Sequence, residues 1–284
     1  RTLKTKNLRS IVKRSVTYTY LSVVSIVVLF PLFWVLKTSF LPPIGGPESY
    51  LFRGLFSSES FSLRSYVEVY FESQYPSYLL NSVLITSMTV LISVVLGSLA
   101  GYALARFKIK GGESFFFFAL TTRMGPPVAF AIPFYLMFNQ AQLIDTHLGM
   151  ITLYVFSNLA FSIWIMRGFF QDIPVDLEEA AMVDGASRLQ AFWKIVLPVA
   201  TAGIVATAII VFIFAWNEFF YASIFTRTFA KTFPVQLPAY FTSRDIKWGC
   251  VAAASTGALI PPLILALFAR RRIIRGMTFG VVKG

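Results

Sequence analysis

Few residues in this sequence could perform chemistry on a substrate. The 284 residues include one histidine, His147, and one cysteine, Cys250, so the usual pairs of nucleophile and base cannot be assembled and a cysteine-based metal site is excluded. The loop GxxxxGK[ST], which binds ATP phosphates, is also missing, because no glycine immediately precedes any Lys-Thr pair. These observations disfavour an enzyme and predict a chain with no catalytic residue, no metal ion and no cofactor of its own.

The segment 172–198 has the pattern of two short helices joined by a tight turn. Asp176 followed by Glu179 resembles a capping box at the start of the first helix. Gly185 is suited to the left-handed turn that ends such a helix, and Ser187 can cap a second helix. From the residues alone, the segment is either an amphipathic connector or a look-alike of a DNA-binding helix-turn-helix.

Three polar residues lie within or beside apolar stretches and are candidates for a transport pathway or gate. Arg123 lies inside the third stretch, where an ionisable group should face the interior of a helix bundle or water. Asn217 and Glu218 lie at the end of the fifth stretch, and Glu218 is a possible ion-pair partner for Arg123. A structural ion pair is therefore the alternative to a pathway role. His147, in a short loop, is interpreted as an ordinary solvated residue.

The elements that must position these residues are apolar helices. Hydrophobic residues make up 56% of the chain and charged residues 13%, with a mean hydropathy of +0.70, whereas soluble proteins carry about 25% charged residues. Six apolar stretches are each long enough to cross a bilayer as a helix, and none alternates as a β-barrel strand does. The sequence predicts an all-α membrane protein with spans at about 16–36, 78–105, 115–138, 148–166, 199–220 and 250–269.

The distribution of basic residues predicts the orientation. If the amino terminus is inside, the inner segments hold 17 lysines and arginines and the outer segments hold 7, which places both termini in the cytoplasm. The predicted organisation is a tail at 1–15, a transmembrane domain at 16–269 and a second tail at 270–284. Within the second span, Gly97 and Gly101 form a GxxxG pattern that permits close helix packing.

The predicted outer loop, 221–247, runs against this trend, because it is basic on the outer side of the membrane. Its charge suits an acidic docking surface on a partner protein or an anionic substrate, and a merely solvated loop is the third possibility. Its basic residues are Arg227, Lys231, Arg244 and Lys247.

The segment 172–198 also carries a family pattern. Glu179-Ala180-Ala181, Gly185, Ile195 and Leu197-Pro198 match EAA-x3-G-x9-I-x-LP without a departure. This pattern resembles the signature loop of the membrane-spanning subunits of binding-protein-dependent ABC importers. The end of the chain, 275–284, and the stretch 216–219 are similar to the MalG-like permeases of carbohydrate importers. The resemblance extends from the second span to the last residue.

The resemblance implies a type I importer fold with six spans and a coupling helix that docks on an ATPase subunit. It implies as partners a second, MalF-like permease, two ATPase subunits that bind ATP-Mg, an extracytoplasmic solute-binding protein and membrane lipid, with no nucleic acid. It also implies that the 276–284 tail reaches the ATPase dimer and that the 221–247 loop enters the docked binding protein. The residues it assigns to ATPase coupling are Glu178, Glu179, Ala180, Ala181, Asp184 and Gly185.

Two other function classes are weaker hypotheses. An ion-coupled secondary transporter of small solutes needs carboxylates in mid-span, and the sequence offers only Glu218 near one end. A DNA-binding role for 174–198 conflicts with the carboxylates in its first turns, which DNA phosphates would repel. The sequence does not name the sugar, sugar alcohol, oligosaccharide or anionic sugar that is carried.

Overall fold

The computed structural model describes residues 2–40, 61–241 and 246–279, and it confirms an all-helical fold. In those ranges the only pairing of extended backbone is an isolated bridge between Phe241 and Ile246. A π-helical turn, Phe192–Val196, lies between the short helices Arg188–Ala191 and Leu197–Val199. A 3₁₀ turn, Leu237–Tyr240, follows the helix Phe233–Gln236. The helices are α1 (Thr2–Ser39), α2 (Arg64–Tyr70), α3 (Tyr75–Arg106), α4 (Gly112–Met124), α5 (Pro127–Gln140), α6 (His147–Gln171), α7 (Asp176–Val183), α8 (Arg188–Ala191), α9 (Leu197–Val199), α10 (Thr201–Trp216), α11 (Phe220–Phe225), α12 (Phe233–Gln236) and α13 (Trp248–Phe279).

Four helical stretches in the described ranges are long and apolar enough to cross a membrane: Lys13–Ser39, Tyr75–Arg106, His147–Gln171 and Trp248–Ala269. A fifth span results if the pair Arg188–Val199 and Thr201–Trp216, bent by 72°, counts as one. The third predicted span consists of α4 and α5, which have 13 and 14 residues, fewer than the roughly 20 residues needed to cross a bilayer. The count of six therefore stays a prediction.

The chain divides into two compact units, of which the first comprises Arg1–Gln74 and Ala239–Gly257. The hydroxyls of Ser39 and Tyr66 lie 2.8 Å apart, which connects α1 to α2. Tyr70 donates to the carbonyl of Ala253, 3.3 Å away, which connects α2 to α13. Most large apolar side chains from Val16 to Leu36 are exposed, as expected where lipid is the solvent.

The second unit comprises Tyr75–Pro238 and Ala258–Gly284, and it is built on the packing of α3 against α6. A Cβ placed on Gly97 would lie 2.7 Å from the Ser162 Cβ, and one placed on Gly101 would lie 2.9 Å from the Arg167 backbone nitrogen. Real Cβ atoms do not approach so closely, so only glycine permits this helix separation. The close packing predicted from the GxxxG pattern is confirmed.

The bend before α10 has a local cause. Pro198 carries no N–H group, so it cannot continue the ladder of helical hydrogen bonds. Directly before it, the π-helical turn closes with the Leu197 N–H bonded to the Phe192 carbonyl, five residues back. The chain then turns by 72° into α10.

Candidate functional site

The segment 172–198 forms a helical hairpin, and two of the expectations for it are confirmed. Gly185 has φ +91°, the left-handed conformation that glycine adopts without strain. Ser187 caps α8: its hydroxyl accepts from the Gln190 N–H at 3.3 Å, and the Gln190 side-chain oxygen accepts from the Ser187 N–H at 2.8 Å. This reciprocal pair is a capping box, which fixes where α8 begins.

The capping box predicted at Asp176 and Glu179 is wrong. The residue that caps α7 is Val175, and no side chain bonds the free N–H groups there. The helical turn begins early, because the Val175 carbonyl already accepts from the N–H groups of Glu178 and Glu179 at 2.9 and 3.1 Å. Asp176 therefore lies inside the first turn, where its carboxylate favours the positive end of the helix dipole instead.

Glu178 anchors the hairpin to the end of α3. Its carboxylate is 3% exposed and accepts from the Tyr102 hydroxyl at 2.7 Å and from Arg106 Nε at 2.5 Å. Arg106 also donates to the Ile173 carbonyl at 2.8 Å, so it holds both ends of the 173–178 stretch. The sequence analysis assigned Glu178 to the ATPase interface, but here its carboxylate bonds within the chain. Its partners are 72 and 76 residues away in sequence, so no local pattern indicated them.

The other coupling candidates form the surface of the hairpin. Glu179, Ala180, Asp184 and Gly185 are exposed, and Ala181 is buried against the protein. Exposed apolar side chains accompany them, which indicates a contact surface for another protein. We define the hairpin surface as these exposed residues together with Leu177, Val183 and Leu189.

Beneath this surface, an apolar cluster joins the hairpin to the long helices of its unit. Tyr102 of α3 contacts Phe170 of α6 at 5.7 Å between ring centroids and Phe192 at 4.6 Å. The hairpin is therefore packed against α3 and α6 through buried side chains. The buried members of the cluster are Tyr102, Met166, Phe170, Ile173, Phe192, Val196 and Ala200.

A cavity of about 410 Å³ lies in the second unit, and Arg123 and Glu218 both line it. The Arg123 guanidinium donates to the Ser157 carbonyl and lies 4.8 Å from the centroid of the Phe214 ring. The Glu218 carboxylate accepts from the N–H groups of Tyr221 and Ala222 at 2.8 and 3.0 Å. Asn217 is exposed, and its amide donates to the Ile213 carbonyl at 2.8 Å.

The ion pair considered between Arg123 and Glu218 is not formed. Across residues 2–40, 61–241 and 246–279, the ion pairs are those of Arg64 with Glu72, Arg106 with Glu178, Arg167 with Glu113, and Lys247 with Glu68. Arg123 therefore keeps its charge in the cavity with aromatic rings and a carbonyl as neighbours. A cation placed so in a membrane protein is a candidate for function.

A second arrangement, missed by the sequence analysis, holds part of the 221–247 loop. The Asp145 carboxylate accepts from the four successive backbone N–H groups of residues 227–230, at 2.9 to 3.3 Å. Asn81 donates to the carbonyls of Phe229 and Lys231 at 2.8 and 3.0 Å. We call Asp145 and Asn81 the loop clamp, because together they bind both the donors and the acceptors of this backbone.

The contacts of the loop clamp lower the pKa of Asp145, and His147 packs beside them. Burial by itself raises the pKa of the Asp145 carboxyl, but the hydrogen bonds from the four N–H groups together lower it by more. The pKa therefore lies below its ordinary value. His147 Nε2 lies 2.8 Å from Asn81 Oδ1, and its ring contacts Phe229 at 5.0 Å. His147 is half-buried at the start of α6, so the interpretation as an ordinary solvated residue is wrong.

The four basic candidates of the loop differ in their surroundings. Arg227 is exposed and donates to the Tyr135 hydroxyl at 3.4 Å. Lys231 is half-buried and donates to Gln236 Oε1 at 2.9 Å. Lys247 pairs with Glu68, whose hydrogen bond raises the pKa of that lysine, and Arg244 lies outside the described residues. Arg227 is thus the best placed of the described three to meet a partner.

Comparison with known proteins gives concordant matches. The family model described as binding-protein-dependent transport system inner membrane component matches residues 93–278. The trehalose/maltose transport system permease protein MalG of Thermococcus litoralis is 35% identical over 264 residues, which cover 92% of this chain and 93% of that protein. The trehalose transport system permease protein SugB of Mycobacterium tuberculosis is 35% identical over 268 residues, covering 90% and 93%.

A solved structure shares the fold. It is the crystal structure of a bacterial ABC transporter involved in the import of the acidic polysaccharide alginate, and one of its chains matches with a TM-score of 0.72. The match covers 90% of this chain and 94% of that chain at 24% sequence identity.

Proposed function

This chain belongs to the family of binding-protein-dependent transport system inner membrane components, and from that premise we propose that it forms half of the pathway by which an ABC importer carries a carbohydrate. The relatives with sugars in their names support this substrate class: trehalose or maltose, trehalose, and diacetylchitobiose. The family is one of permease subunits, which are not themselves the ATPase.

The observation that carries the proposal is the hairpin 172–198. Its exposed surface offers Glu179 and Gly185 to a partner, while buried Glu178 holds its base to α3 through Arg106 and Tyr102. An ATPase subunit that binds the hairpin surface would pull on α3 and α6 when it closes on ATP. ATP hydrolysis would thereby open and close the pathway without an ATP site on this chain.

The solute-binding protein is assigned to the opposite side of the membrane from the ATPase subunits. In this proposal, the 221–247 loop faces the solute-binding protein, with Arg227 at the exposed side of the loop clamp. A second, MalF-like permease supplies the other half of the pathway. Both termini are then cytoplasmic, as the excess of basic residues in the inner segments predicts.

Reconstitution tests the proposed function. The complete complex, with its ATPase subunits and binding protein, is placed in proteoliposomes with labelled maltose, trehalose, diacetylchitobiose and a uronate disaccharide. We expect uptake of at least one sugar that needs both ATP and the binding protein and that resists an ionophore. Uptake without ATP that collapses with the ionophore would support the ion-coupled alternative instead.

A further inference from the structure

We infer that the 410 Å³ cavity of this subunit is itself a sugar-contact site, in which one pyranose ring of the transported carbohydrate binds between Arg123, Asn158 and a set of aromatic rings. The inference rests on the proposed function and deepens it, because it assigns substrate contact to this chain. The residues of this chain that line the cavity all lie in the second unit. Its volume is in the range of sites for small ligands.

An unsatisfied polar atom is the first argument. Asn158 is 4% exposed and lines the cavity. Its Nδ2 donates to the Tyr154 carbonyl at 2.8 Å, but its Oδ1 accepts no hydrogen bond from the described residues. A buried acceptor left unpaired costs about 1–3 kcal/mol. Because Oδ1 is itself fully buried, the Asn158 side chain must turn toward the cavity before a sugar hydroxyl can donate to this oxygen and remove that cost.

The guanidinium of Arg123 also has donors available for a ligand. Arg123 has five N–H donors, of which Nη1 bonds the Ser157 carbonyl. None of the carboxylates in the described ranges pairs with it. An apolar occupant would leave both the guanidinium and the Asn158 oxygen without hydrogen bonds, whereas a ring with several hydroxyls offers acceptors to the first and donors to the second.

Aromatic rings complete the chemistry. The C–H faces of a pyranose are apolar and pack on aromatic rings, which carry a large hydrophobic area. The rings of Phe130 and Phe134 on α5 are stacked at 6.0 Å, and Phe156 on α6 contacts Phe134 at 5.3 Å. The exposed ring edges and the few polar groups together match the composition of a small-molecule site. The aromatic side chains that line the cavity are Phe130, Phe134, Tyr154, Phe156, Phe214 and Tyr221.

The break between α4 and α5 is an independent pointer to the same place. α4 ends at Met124 and α5 begins at Pro127, and Gly125 and Pro127 both line the cavity. In the hydrocarbon region, non-helical backbone is tolerated where protein buries it or where it borders a cavity. The break between the helices and Asn158 thus border the same cavity.

The test uses two cavity variants, Phe156→Ala and Asn158→Leu. Their matched controls are Phe118→Ala, an exposed phenylalanine outside the cavity, and Asn139→Leu, an exposed asparagine near the end of α5. Each variant complex is reconstituted in proteoliposomes, with maltose and trehalose as probes together with any other sugar that the wild-type complex carries. The readout is the amount of sugar moved per ATP hydrolysed at saturating binding protein, because a folding defect lowers uptake and hydrolysis together.

We expect the sugar moved per ATP to fall about tenfold in both cavity variants, which corresponds to losing one good contact, and to stay unchanged in the controls. Wild-type amounts of sugar per ATP in Phe156→Ala and Asn158→Leu would overturn the inference, as would parallel loss of uptake and hydrolysis in both. A wild-type complex that carries no sugar would instead overturn the proposed function.

Discussion

At the scale of residues, the charge of Arg123 is the least expected feature of the apolar core. A charged side chain at the centre of a span costs about 2.5–3.5 kcal/mol on insertion scales, and the described residues provide rings and a carbonyl rather than a carboxylate to offset it. Evolution could remove the cost with one substitution. In the proposed function, the passing solute contacts this charge.

The first prediction follows from that cost. Arg123→Leu should insert and express at wild-type level or better, because the buried charge is gone, but ATP-dependent uptake should fall at least tenfold. Membrane-fraction immunoblots and proteoliposome uptake measure the two effects. Full uptake by the leucine variant would reduce Arg123 to a structural residue that packs on Phe214.

The loop clamp gives the second prediction. Asp145→Asn replaces an acceptor of four N–H groups with an amide that cannot accept them all. Hydrogen exchange of the amides of residues 227–230 should accelerate about tenfold or more, with the exposed Asp172→Asn as the control, and stimulation by the binding protein should weaken. Unchanged exchange at these amides would show that the clamp does not hold the loop.

The pH dependence of the clamp has a definite sign. The folded pKa of Asp145 lies below its unfolded value of about 3.9. The stabilisation is therefore fully present above about pH 3.9 and is lost only as the pH falls through the lower, folded pKa. Exchange protection of residues 227–230 should accordingly stay constant between about pH 5 and pH 8.

At the scale of elements, the hairpin shows what local sequence determines and what it does not. Gly185 and Ser187 act on neighbours within a few residues, so their turn and cap were predictable. The GxxxG pattern likewise predicted a close helix contact, although not the partner helix. Asp176 was misplaced by one helical position because the turn at Val175 depends on backbone geometry.

Contacts between residues far apart in sequence could not be predicted from local sequence patterns. Nothing near Glu178 indicates that Arg106 would bury it, and nothing near Asp145 indicates the N–H groups of residues 227–230, 82 to 85 residues later. Both pairs form only when packing brings distant elements together. The cavity was missed for the same reason, and Arg123, which lines it, stays a candidate.

The third prediction concerns the anchor of the hairpin. Arg106→Leu leaves the Glu178 carboxylate buried without its cation, which should destabilise the protein by about 3–5 kcal/mol. The double variant Arg106→Leu with Glu178→Leu should recover most of that loss. Thermal unfolding in detergent measures both, and equal destabilisation in the single and double variants would argue against an ion pair that holds the hairpin.

At the scale of the whole molecule, the chain belongs to a family of transport-system components, and we propose that its exposed surfaces bind the other subunits. The hairpin surface and the 221–247 loop are separated in sequence by α10 and its neighbours, and each presents charge to a different proposed partner. The family match is to the inner membrane component of a binding-protein-dependent transport system. Substrate identity depends on the complete complex.

The fourth prediction concerns docking of the binding protein. Neutralising Arg227, Lys231, Arg244 and Lys247 together should weaken binding-protein-stimulated ATP hydrolysis and flatten its dependence on salt, since salt screens charges beyond about 8–10 Å. Arg227→Gln alone should produce the largest share, because Arg227 is exposed while Lys247 is paired with Glu68. Stimulation with an unaltered salt response in the fourfold variant would exclude an electrostatic contact.

Coupling through the hairpin surface is the central claim, and parallel measurement of ATP hydrolysis and sugar uptake by Glu179→Lys tests it most directly. Glu179 is exposed, and buried Glu178 and its partners hold the base of α7 without it, so the variant should fold, insert and unfold at the wild-type temperature. In proteoliposomes of the complete complex, uptake and binding-protein-stimulated hydrolysis should both fall at least tenfold, and Gly185→Val, strained at φ +91°, should behave alike. The charge-reversal control Glu72→Lys, at an exposed ion pair, should keep both activities. Wild-type uptake by Glu179→Lys and Gly185→Val would contradict the account.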